Sequence, residues 1–217
     1  MMRSLSLTAG MLLVASAAIA QPPPAGQQFT LTANLNRAYS GLKLNFTEMA
    51  DKMSDADYAF KPGTAPELRN FGQLLGHLAN AQYGSCAAML GQPNPNQGHN
   101  LETELKTKAE FVKAMNDSFA LCDRAFAALS EQNKDEMVAQ GQGQISRGAL
   151  LANVAIHGNE MYGTASVYMR AKGLVPPSTE RAQQAPARGA QGGGGGAPGG
   201  GGGRRGGGGG GGATPGQ

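Results

Sequence analysis

The residues best suited to chemistry in this chain are two histidines. His157 opens the stretch HGNEMYG, residues 157–163, on an apolar stripe of helical period. Residues four apart share a helix face, so a histidine at 161 would complete a two-point grip on a metal ion. The chain has Met161 there instead. His77 lies on a separate helical segment, at the edge of its apolar stripe. Two imidazoles and a third ligand would hold a divalent ion such as Zn or Ni and leave one position open for water or substrate. Glu160 and Met161 compete for that third place, the first as a carboxylate, the second as a thioether suited to Cu(I). The alternative is no metal at all, with Met161 as a flexible apolar filler and each histidine as a hydrogen-bonded core residue.

Weaker polar candidates surround the pair. Asn80 is three residues after His77, Asn153 is four before His157, and Tyr162 follows Met161; these are the expected pocket lining. His99 falls in a Pro/Gly-rich connection and reads as surface. The chain has no Ser/His/Asp signature, phosphate-binding loop or zinc-ribbon cysteine spacing.

Such residues need helices to position them, and apolar residues recur at helical spacing in four segments. Leu31, Leu35, Leu42, Phe46, Met49 and Met53 form the first stripe; Phe71, Leu74, Leu75, Leu78 and Ala81 begin the second. Leu105, Val112, Met115, Phe119, Cys122, Phe126 and Leu129 form the third; Leu150, Val154, His157, Met161, Ala165 and Tyr168 form the fourth. Asn70 and Ser146 are suited to cap the second and fourth helices. Pro62, Gly63 and Pro66 break the chain after the first helix, and Gly173 with Pro176 and Pro177 ends the last. No sustained strand-like alternation occurs. The expected fold is an all-α four-helix bundle over residues 29–180.

The ends read differently. Arg3, the apolar run Leu5–Ala18 and the small-x-small triplet Ala18-Ile19-Ala20 predict a signal peptide over 1–20, followed by a short linker, 21–28. The run is too short for a membrane span, so the expected location is periplasmic or secreted. Residues 181–217 hold 19 of the 34 glycines and no acid, a composition expected to stay disordered. The chain carries +3, but without Arg3 and the four arginines from 181 onward residues 29–180 carry −2. Neither the bundle's charge nor a tail without aromatics favours a nucleic-acid partner.

Cys86 and Cys122 are the only cysteines. In an oxidising compartment a bridge is favoured over two buried thiols. Counted from Asn70 and Thr103, they lie 16 and 19 residues into the second and third helices. Antiparallel neighbours would then offset them by roughly 20 Å, parallel neighbours by about 5 Å, and a bridge needs Cα atoms within about 7 Å. A bridge therefore requires parallel second and third helices joined by a crossover at 91–102.

Three segments carry a resemblance: DYAFKP (57–62), RNFGQLLGHLANAQY (69–83) and IHGNEMYGTASVYMRAKGLVPPS (156–178). Together they resemble the DinB/YfiT-like superfamily, in particular its exported members, over roughly residues 30–180. The resemblance implies an up-down-down-up four-helix bundle. It also implies a divalent metal held by three histidines, one on the second helix and two four apart on the fourth. His77 and His157 match two of these positions, and Met161 departs from the third. Relatives include metal-dependent thiol transferases and isomerases. Two functions follow as expectations: a metal-dependent enzyme of thiol-transferase or hydrolase kind using His77 and His157, or a non-catalytic bundle that binds a small molecule or a protein, with a homodimer among the expected assemblies.

Overall fold

The computed structural model describes residue 26 and residues 28–185. The signal segment, most of the linker and the tail from 186 onward lie outside the described residues.

Four long helices form the bundle: α1 (Leu31–Lys52), α2 (Phe71–Met89), α4 (Lys108–Ala127) and α5 (Arg147–Ala171). Two short ones decorate it, α3 (Leu101–Glu104) and α6 (Pro177–Gln184). The local sequence explains the starts. Asn70 caps α2 in a reciprocal capping box with Gln73, and the Ser146 hydroxyl accepts from the Ala149 N–H at the head of α5. The third long helix was expected from near Thr103. It begins instead at Lys108, because Thr107 and Glu110 form their own capping box, while Asn100 starts the separate turn α3.

Side-chain contacts give the helix directions. Gly72 abuts Phe111 and Cys86 meets Cys122, so α2 and α4 run the same way. Tyr168 Oη donates to the Arg69 carbonyl and Arg147 donates to that of Met89, so α5 runs against α2. Lys108 reaches the Met53 carbonyl while Tyr39 bonds Asp123, so α1 runs against α4. The segment 91–107 is thus a crossover along the bundle rather than a hairpin, and α3 lies directly on α2.

Phe46, Phe71, Phe119 and Phe126, with Met49, Met53, Met89 and Met115, are fully buried at the bundle axis. Each such side chain contributes about 1.5–3 kcal/mol relative to exposure. Leu31, placed in the first stripe, is 53% exposed; Tyr39, outside it, is buried and stacks on Phe126. Close approach of α1 and α5 depends on Gly158, where a Cβ would sit 2.1 Å from Leu42 Cδ2.

Two features depart from expectation. A hairpin, β1 (Met137–Gln140) and β2 (Gly143–Ser146), precedes α5. Gly141, at φ 58°, makes its tight turn. The boundary at 180 also moves, since α6 continues to Gln184 and Arg181, assigned to the tail, pairs with Glu48 and Asn45 of α1. Among the described residues no helix is long and apolar enough to cross a membrane.

Candidate functional site

The site begins with a glycine. At Gly76 a Cβ would lie 2.9 Å from the carbonyl carbon and oxygen of Leu101 and 3.1 Å from the Glu102 nitrogen. Only a bare backbone lets the crossover rest there, and that contact brings Glu102 to the neighbouring His77. Glu102 Oε1 lies 2.6 Å from His77 Nδ1, and its other oxygen accepts from Arg69 Nε at 2.5 Å. Arg69 is anchored in turn through its carbonyl by Tyr168. Burial alone would push the Glu102 carboxyl up, but the bonds from Arg69 and His77 outweigh it and hold the group below the usual carboxylate range.

An ionised carboxylate only accepts, so His77 donates from Nδ1 to Glu102. That is the arrangement that orients an imidazole as a ligand or a base. Across the seam between α2 and α5 stands His157, its ring centroid 5.2 Å from that of His77 and the rings inclined at 72°. His157 Nδ1 faces Glu160 at 3.4 Å, and its Nε2 is buried without a hydrogen-bond partner. A buried polar atom without a partner is uncommon and costly.

The structure brings His77 and His157 to the same seam, and Met161, one turn along α5, is buried at 6% exposure. Glu160 is turned outward, its side chain 72% exposed, and meets Nδ1 of His157 rather than Nε2. Asn153 lines a cleft of about 150 Å³ beside His157, together with Gln82 and Ser85. Asn80 goes elsewhere. Its oxygen accepts from Asn96 Nδ2 and the Leu101 N–H, so it secures the crossover. Tyr162 bonds Ser178 at the head of α6 and lies edge-on to Phe46. His99 is exposed and pairs with Glu104. Cys86 and Cys122 stand at disulfide distance, with Cα atoms 5.1 Å apart, both fully buried.

A metal centre of three hard ligands does not fit this donor set. Among the described residues no three His, Cys, Asp or Glu side chains converge. Glu102 is spent on Arg69 and His77, and the residue one turn after His157 on α5 is a thioether, Met161.

Glu102 and Arg69 are the side chains that sequence reasoning did not assign to the site. Glu102 is in the crossover, 25 residues from His77, where no helical period points to it.

A model of the DinB superfamily matches residues 44–165, more than half of the chain. The fold is similar to the crystal structure of a DinB-like protein from Bacillus cereus, with 14% identity, TM-score 0.54, and coverage of 66% of this chain and 93% of that one. It is equally similar to a conserved protein from Enterococcus faecalis, with 14% identity, TM-score 0.54, and coverage of 66% and 98%. No curated protein matches the chain.

Proposed function

Because the chain belongs to the DinB superfamily yet carries Met161 where its relatives' pattern has a histidine, we propose that it is a small-molecule-binding member of that superfamily. Its site is the α2–α5 seam at His77 and His157, used without a three-histidine metal centre. One observation carries this reading: His157 Nε2 is buried and unpartnered beside an imidazole that the Glu102 carboxylate orients. A polar atom kept dry and unsatisfied costs stability, and a ligand that satisfies it recovers that cost. A ligand in the seam can hydrogen-bond Nε2 of His157, beside the imidazole that Glu102 orients.

A second reading, a metal-dependent enzyme of thiol-transferase or hydrolase kind, draws support from the Glu102–His77 contact. Metal-bound histidines commonly give their other ring N–H to a carboxylate. It lacks a third hard ligand, and Glu160 is directed to solvent.

We place the protein outside the cytoplasm. The segment Leu5–Ala18 with its Ala18-Ile19-Ala20 triplet supports export, as does the Cys86–Cys122 pair at disulfide distance. The test is metal analysis of the purified protein after loading with Zn, Ni, Mn and Cu and dialysis. Retention below about a tenth of an equivalent is expected; a full equivalent of any of them would overturn the metal-free reading.

A further inference from the structure

The cleft beside His157 has a second unsatisfied polar group in its wall. Leu78, Ala81, Gln82 and Ser85 of α2 and Asn153, Val154 and His157 of α5 enclose about 150 Å³. His77 does not line it. Gln82 is only 1% exposed. One end of its amide is held by the Ser118 hydroxyl at 2.7 Å. The other end, Nε2, is buried without a partner. Ser118 also lies 2.8 Å from the Met115 carbonyl, so it keeps an acceptor of its own even if Gln82 is lost. A glutamine that an apolar residue could replace without orphaning its neighbour is not explained by packing.

We infer that this cleft is a binding chamber for a small neutral molecule with a short apolar body and one head group that both donates and accepts hydrogen bonds, a hydroxyl or a carboxamide. The amide end of Gln82 donates to the head group, and Nε2 of His157, whose other ring nitrogen faces Glu160, accepts from it. Leu78, Ala81 and Val154 take the apolar body. No fixed charge lines the cleft, so an ion entering it would lose hydration without a countercharge. The volume equals roughly five waters at ~30 Å³ each, which limits the ligand to a few heavy atoms. Exposed Asn153 marks the mouth.

The inference rests on the reading of the seam as a small-molecule site and names its ligand class. The probes are isobutanol, isobutyramide and, as the charged counterpart, isobutyrate, titrated into the chelator-treated full chain by amide-resolved NMR. Saturable shifts around Gln82 and Asn153 with the two neutral probes, with Kd on the order of millimolar, and none with isobutyrate are expected. Gln82→Leu should weaken the neutral probes at least about tenfold while its urea midpoint stays level or rises. Ala81→Leu, which fills the chamber from its wall, should abolish binding. No saturation up to about 50 mM, equal binding to Gln82→Leu, or preference for isobutyrate would each overturn the inference. These outcomes are independent of the metal analysis, which tests the broader reading.

Discussion

Gly76→Ala and Gly163→Ala are the same chemical change in two helix interiors, and they should move stability in opposite directions. Replacing a helical glycine by alanine gains about 0.5–1 kcal/mol from reduced backbone freedom in the unfolded chain. At Gly163 a Cβ meets nothing within 4 Å, so that gain should appear in full. At Gly76 the new Cβ would stand 2.9 Å from the Leu101 backbone. Main chain cannot rotate away like the end of a side chain, so the crossover must lift. Overpacking of this kind costs about 1–3 kcal/mol, leaving a net loss of about 1 kcal/mol. The two variants should therefore differ by about 2 kcal/mol, roughly thirtyfold in the folding equilibrium. Urea denaturation with unchanged m-values reads this directly as a shift in midpoint. A second consequence tests the link to the site. If lifting the crossover withdraws Glu102 from His77, then Glu102→Gln should cost less in the Gly76→Ala background than in the wild type. Equal stabilisation by both alanines, or strict additivity with Glu102→Gln, would refute the claim that Gly76 sets Glu102 against His77.

Other predictions follow from the same contacts. Glu102 has a lowered folded-state pKa, so its contribution is full above the ordinary carboxylate pKa and is lost as pH falls through the folded value. The midpoint difference between wild type and Glu102→Gln should accordingly shrink as the pH falls below about 4. Peptide mapping of non-reduced protein should recover Cys86 linked to Cys122. With a sequence separation of 36, reduction should cost about 4 kcal/mol by loop entropy, and free thiols in oxidised material would contradict the pairing. Tyr162→Phe removes the hydroxyl that bonds Ser178 and should cost about 1 kcal/mol, read as a lower urea midpoint, with little change at the seam.

Much of the bundle was legible because local rules and tertiary packing agree. Asn70 and Ser146 cap helices where their sequence context says they should, and the fourth stripe faces inward as its spacing requires. The early start assigned to the third helix failed because two capping signals compete within 100–110, and the Thr107–Glu110 box prevails. The hairpin was missed because four-residue strands such as MVAQ and GQIS are too short to show alternation. Leu31 is apolar and in phase, but the first helix begins there, ahead of the core. The seam was half legible. His77, His157 and Met161 lie on readable helical faces. Glu102 reaches His77 only because a bare Gly76 lets the crossover lie flat, and the unpartnered amide of Gln82 is visible only once α2, α4 and α5 are packed. Those are relations between elements, and no single helical period encodes them.

If Met161 stands where a ligand would, the seam takes up no metal until a histidine is put there. Calorimetric titration of Zn into the wild type and into Met161→His, both chelator-treated, tests it most directly. Stoichiometric uptake is expected only by Met161→His, since the added imidazole lies one helical turn from His157 on the same face. Stoichiometric binding by the wild type would contradict it.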